Sequence, residues 1–171
     1  TASSGSGKAG DIVVKDGLIS LSLKADAAVT SSNTGDGDAG KITIHAGESV
    51  MLEAGAVTTE AAQGRGGSIR IAAPTLAASR EGRISASISG GEETGGDVEV
   101  DVGRLDLSEG GRVESSTRGR GAGGEVSVRA SDAAVLSGDG TGLYSTASSS
   151  GAAGRISAET PLLTVTDGAR I

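Results

Sequence analysis

The chain has 171 residues, with 30 glycines, two prolines, one tyrosine, one histidine and no cysteine, tryptophan or phenylalanine. Its apolar share of 36% comes almost wholly from Ala, Val, Ile and Leu, so the core must be narrow and built in small layers. The net charge of −7, with Lys and Arg scattered singly, argues against nucleic acid as a partner, and no apolar run reaches the length of a membrane span.

The first residues, Thr1-Ala2-Ser3-Ser4-Gly5, carry no signal peptide, which implies a removed leader or a segment of something longer. One block then recurs along the chain: a Gly-rich stretch, a glycine, a polar residue and alternating β-branched residues. It reads Gly10-Asp11-Ile12-Val13-Val14, Gly40-Lys41-Ile42-Thr43-Ile44 and Gly67-Ser68-Ile69-Arg70-Ile71. It continues as Gly96-Asp97-Val98-Glu99-Val100, Gly124-Glu125-Val126-Ser127-Val128 and Gly154-Arg155-Ile156-Ser157-Ala158. The six marker glycines are separated by 30, 27, 29, 28 and 30 residues. A second short strand follows in each period, as in Leu21-Ser22-Leu23, Val50-Met51-Leu52, Leu105-Asp106-Leu107, Val135-Leu136 and Leu163-Thr164-Val165. A third follows a turn, as in Ala56-Val57-Thr58-Thr59, Arg83-Ile84-Ser85-Ala86-Ser87 and Arg112-Val113-Glu114-Ser115-Ser116-Thr117. Period-two alternation bounded by Gly, Ser and Asp reads as strand throughout, and no helical periodicity is present.

Three short strands per 27–30 residues predict an all-β fold, a right-handed parallel β-helix of about six coils spanning residues 1–171 as a single repeat segment. A βαβ unit needs a crossover longer than these Gly-rich connections. If coils stack, Ile12, Ile42, Ile69, Val98, Val126 and Ile156 form one inward ladder and Val14, Ile44, Ile71, Val100, Val128 and Ala158 a second. The outward ladder between them, Val13, Thr43, Arg70, Glu99, Ser127 and Ser157, is mixed, as a solvent face should be. On the third side Val29, Val57, Ile84, Val113 and Leu143 point inward, followed by the small ladder Ser31, Thr59, Ala86, Ser115 and Ser145. Those hydroxyls suit a narrowing corner where each bonds its neighbour or the backbone, and Gly at the turns is expected where φ must be positive.

Coils of this form, clearest over Gly95-Gly96-Asp97-Val98-Glu99-Val100, Leu105-Asp106-Leu107 and Val113-Glu114-Ser115-Ser116-Thr117, resemble the repeats of filamentous haemagglutinin-type exoproteins of two-partner secretion systems, cyanobacterial members especially. The resemblance covers nearly the whole chain. It implies an outer-membrane transporter as partner, export as an unfolded chain and a secreted or outer cell-surface location. The secretion domain by which such proteins are recognised is not visible here, so the segment would come from the rod.

Candidate chemical groups each have a plainer reading. Asp36 and Asp38, in Thr34-Gly35-Asp36-Gly37-Asp38-Ala39-Gly40, are weakly like Ca²⁺-binding Gly/Asp repeats, yet a solvated turn explains them. Glu92-Glu93 sits in a short loop expansion after Ile88. His45 follows inward Ile44 and so faces solvent, and without Cys or a second His no metal cluster or nucleophilic dyad can form. Arg118-Gly119-Arg120-Gly121 could contact an anion but reads as a charged turn, and lone Tyr144 faces outward by parity. The expected function is a structural and adhesive rod segment without catalytic residue or cofactor, binding an unspecified surface glycan or protein. The alternative is a polysaccharide-active β-helix, which would need Asp, Arg and Lys clustered on one face between long loops. An ice-binding surface would need a regular outward Thr face, whereas that ladder reads Thr30, Thr58, Ser85, Glu114 and Tyr144. The last residues, Asp167-Gly168-Ala169-Arg170-Ile171, re-enter the third strand, so either the natural chain continues or copies abut end to end.

Overall fold

A computed structural model of the chain describes every residue except Asp16 and contains only β-strands and turns among the described residues. The strands are β1 (Ala2–Ser3), β2 (Ile12–Val14), β3 (Ser20–Lys24), β4 (Ala28–Asn33), β5 (Ile42–His45), β6 (Ser49–Glu53), β7 (Ala56–Ala61) and β8 (Ile69–Ser79). They continue as β9 (Arg83–Ile88), β10 (Val98–Ser108), β11 (Arg112–Thr117), β12 (Val126–Ser137), β13 (Gly142–Ala147), β14 (Ile156–Glu159) and β15 (Leu163–Thr166). Every strand pairing is parallel, and each strand bonds its equivalent one repeat away. One sheet runs β1-β4-β7-β9-β11-β13; the other runs β2-β5-β8-β10-β12-β14, with β3 and β6 leading into β8 and β15 joining β12. The chain is therefore a β-solenoid of about six turns, as the repeat predicts.

The ladders fall in the expected register. Ile12, Ile42, Ile69, Val98, Val126 and Ile156 pair in succession, and so do Val29, Val57, Ile84, Val113 and Leu143. Ile42, Ile44, Ile69, Ile71, Val100 and Leu105 are fully buried in one continuous core of aliphatic side chains. In coils three to five the first and second sides run on as one bent strand of 11 or 12 residues. Burial alternates through Ile69, Ile71 and Ala73, then slips by one to Leu76 and Ala78, so the corner falls at Pro74-Thr75. A proline is acceptable there because the corner interrupts the alternation. A further inward ladder closes the third side: Asn33, Ala61, Ile88 and Thr117 are buried, and Ala39 packs with Ala61 and Ile88 in a small cluster of its own.

The hydroxyl ladder meets the marker glycines. Ser31 Oγ accepts the Gly40 N–H at 3.1 Å and donates to the Gly10 carbonyl at 2.9 Å. Thr59 Oγ1 donates to the Gly67 carbonyl at 3.0 Å, Ser115 Oγ accepts the Gly124 N–H at 3.0 Å, and Ser145 Oγ accepts the Gly154 N–H at 2.8 Å. In the third coil Ala86 stands in the hydroxyl position and fills the corner by contact alone.

Glycine supplies positive φ at turns such as Gly91, Gly110, Gly138, Gly140 and Gly168, but the marker glycines serve another purpose. None of Gly10, Gly40, Gly67, Gly96, Gly124 and Gly154 is left-handed. What they lack space for is a side chain: a Cβ on Gly40, Gly67, Gly96, Gly124 or Gly154 would fall well inside 3.0 Å of the preceding marker's carbonyl oxygen. A series of left-handed residues stacks at the corner between the second and third sides, and most of it is not glycine: Ala25 (φ 51°), Ala54 (φ 53°), Arg80 (φ 52°), Glu109 (φ 48°) and Asp167 (φ 54°), with Gly138 completing the series. Each non-glycine there carries a steric cost of roughly 1–2 kcal/mol.

These two corners respond oppositely to substitution. Gly67→Ala should destabilise the chain by about 3 kcal/mol, since overpacking against backbone cannot relax. Ala54→Gly should stabilise it by roughly 0.5–1 kcal/mol, the relief of left-handed strain exceeding the added chain entropy. Denaturant midpoints of the two variants, read against the parent at constant m-value, check both signs.

Candidate functional site

Stacking in register along the strands brings exposed side chains beside their equivalents on the neighbouring coils, so charge placement follows the repeat. Two ladders of alternating sign result. Lys24 Nζ lies 3.2 Å from Glu53 Oε2, Arg80 bonds the other oxygen of Glu53, and Arg80 Nε lies 3.7 Å from Glu109. On the first side Arg70 pairs with Glu99 at 3.2 Å, Arg129 with Glu99 at 3.7 Å and Arg129 with Glu159 at 3.1 Å. Each such exposed pair contributes little alone, on the order of 0.2–1 kcal/mol.

Other carboxylates cap backbone donors of the next coil. Asp11 Oδ1 accepts the Lys41 N–H at 2.7 Å, Asp38 Oδ1 the Arg65 N–H at 2.8 Å, and Asp97 Oδ1 the Glu125 N–H at 2.8 Å. The Lys41 N–H, and then the hydrogen bond from Lys8, hold the Asp11 carboxyl below its ordinary range. The hydrogen bond from Lys24, followed by the charge of Arg80, does the same for Glu53.

Asp36 is exposed, and half-buried Asp38 serves the backbone of the next coil. Among the described residues no three His, Asp or Glu groups converge on one point. Glu93 pairs with Arg65 at 3.2 Å and Glu92 with Arg120 at 3.7 Å, which ties the loop expansion to both neighbouring coils. Arg118 is exposed beside Arg120 at the margin of a shallow depression. His45 is exposed, at the edge of an open groove of about 480 Å³ that Leu18, Ile19 and Glu48 also line. A second open groove, about 390 Å³, follows the glycine corner between Lys8, Lys41, Arg65 and Asp97. Tyr144 stands in the outward ladder as parity predicts, but it is half-buried and its hydroxyl donates to the Thr141 carbonyl at 3.1 Å. The carboxylate caps and the alternating ladders escape a residue-by-residue motif search. Sign alternation at the repeat period, Lys24 to Glu53 to Arg80 to Glu109, is the signal that marks the second of them.

No family model, curated protein or solved structure matches this chain. Among the described residues no helix is long and apolar enough to cross a membrane. Part of the charged surface is engaged with the neighbouring coil through ion pairs and backbone caps, and both grooves are open and shallow.

Because Asp11 and Glu53 titrate lower in the folded chain, their contribution to stability is complete above the unfolded carboxylate pKa, about 4, and is lost as pH falls through the lower folded values. Denaturant midpoints measured between pH 7 and pH 2 should stay level at first and then fall on the acid side. Glu53→Gln should lower the midpoint at pH 7 and flatten part of that acid decline. An unchanged acid limb would show that the ladder carries no stability.

Proposed function

We propose that this chain is a structural and adhesive rod segment of a secreted or cell-surface exoprotein of the filamentous haemagglutinin type, exported through an outer-membrane transporter partner. The observation that carries the reading is the uninterrupted coil-on-coil stacking, with ion pairs such as Lys24–Glu53, Arg70–Glu99 and Arg129–Glu159 running along the rod axis. Mechanism is then geometric. At about 4.8 Å per coil, six coils give a stiff spacer of roughly 30 Å that holds other parts of a molecule at a distance.

The outward faces supply the adhesive element. Side-chain chemistry changes from coil to coil, from Thr30 and Thr58 to Glu114 and Tyr144 on the third side, so such a face recognises a shaped glycan or protein and not a periodic lattice. The competing reading, a polysaccharide-active β-helix, requires acidic and basic groups aimed into one groove. The corner groove between Lys8, Lys41, Arg65 and Asp97 is the place where it would act.

A glycan and extracellular-matrix array, followed by incubation of each bound polysaccharide with the chain, separates these readings. Retention on a surface ligand with no change in its length is the expected result. Shortening of any polysaccharide, abolished by Lys41→Ala with Arg65→Ala, would overturn the rod reading, and binding to nothing would remove its adhesive half.

A further inference from the structure

Two basic side chains on the third side depart from the habit of pairing along the rod axis. Arg83 opens β9 and Arg112 opens β11, and the two are in register at the same outward position of neighbouring strands. Both are exposed, and among the described residues neither guanidinium has an ion-pair partner. Glu114 stands two residues beyond Arg112 on the same face, yet it pairs with neither arginine. Like charges held opposite each other on adjacent strands, about 4.8 Å apart, repel. The pair lies in the middle of its sheet, with β7 on one flank and β13 on the other.

The residues beside the arginines say what would answer that charge. Along the same outward face β9 presents Ser85 and then Ser87, and Ser116 of β11 is in register with Ser87. Ser85 is 6% exposed, and its hydroxyl makes no hydrogen bond to protein among the described residues. From Arg83 to Ser87 the path along the strand is about 13 Å, so it begins on two guanidinium forks and continues over neutral hydroxyls. A planar fork matches a carboxylate through two parallel charge-assisted bonds, and hydroxyls both donate to and accept from sugar hydroxyls. The net charge of −7 on the whole chain opposes the approach of a densely charged polyanion. The ligand that fits is therefore a largely neutral glycan carrying an isolated carboxylate.

We propose that Arg83 and Arg112 form a binding site for the carboxylate of a uronic acid within such a glycan, whose neighbouring sugars lie across Ser85, Ser87 and Ser116. The inference rests on the adhesive half of the proposed function and gives it one face and one class of ligand. A carboxylate shared by both guanidinium groups removes their mutual repulsion and supplies the partner that Arg80 and Arg129 find in the chain itself. The site is separate from the corner groove between Lys8, Lys41, Arg65 and Asp97.

NMR titration of the isotope-labelled chain with methyl glucuronide, and with a xylo-oligosaccharide bearing one glucuronic acid, tests this. The expected result is a set of saturable shifts at the Arg83 and Arg112 side-chain Nε–H groups and at the amides of Ser85, Ser87 and Ser116. The acidic oligosaccharide should bind about tenfold more tightly than its carboxyl-reduced twin, the worth of one charge-assisted hydrogen bond. R83A/R112A, at two exposed positions, should keep the β-sheet circular dichroism of the parent and lose that difference, while R83K/R112K, which keeps the charge without the fork, should fall between. A sulfate ester of methyl glucoside should bind more weakly than the glucuronide, and equal or tighter binding would contradict the carboxylate assignment. Absence of shifts at the arginines, equal affinity for the reduced twin, or full affinity in R83A/R112A or R83K/R112K would overturn the proposal. On the glycan array, retention of R83A/R112A equal to that of the parent would sink this site alone, whereas shortening of a polysaccharide would sink the rod reading on which it rests.

Discussion

The closeness of successive backbones at the glycine corner is the constraint on which the rest of the solenoid depends. Coils rest on one another there with the carbonyl of one marker glycine occupying the place a side chain would take on the next. No other residue allows that approach, and it recurs from Gly40 through Gly154. Ser31, Thr59, Ser115 and Ser145 then reach across the narrow core to bond the same glycines, so the third side is fastened to the start of the first. With that corner set, the strands inherit a constant register, and the aliphatic ladders, the charge alternation and the backbone caps all follow from it.

A narrow core explains the composition. Three sides converging on one row of side chains per coil leave space for Ile, Val, Leu and Ala and none for an indole or a phenyl ring. Burial of Ile42, Ile69, Val100, Leu105 and Leu136 supplies the hydrophobic drive, and parallel hydrogen bonds satisfy the backbone between coils. Stability in such a stack is a sum over coils and their contacts.

Much of this was legible in the sequence because the ladder positions are read by repetition. Ile12 to Ile156 and Val29 to Leu143 fall in register as their spacing predicts, and the hydroxyls of Ser31, Thr59, Ser115 and Ser145 sit at a narrow corner. The close approach that the marker glycines permit was unread, because a glycine needed for close approach and one needed for positive φ look alike in a string of letters. The strained corner was unread because Ala25, Ala54, Arg80 and Glu109 carry no compositional mark of left-handed backbone. Buried Asn33 was hidden for a similar reason, since a polar residue beside a Gly-rich loop reads as turn. Asp38 looked like a solvated turn residue or a weak cation ligand; its bond to the Arg65 N–H depends on contact across 27 residues, which local sequence does not display.

Native-state hydrogen exchange at the marker glycines tests the central claim most directly. If the glycine corner is the fastened seam of the stack, the amides of Gly40, Gly124 and Gly154 exchange only through global or multi-coil unfolding, as slowly as those of Val100 and Val128. Exchange of those glycine amides at the rate of an open, solvated loop, with the strands still protected, would contradict the account.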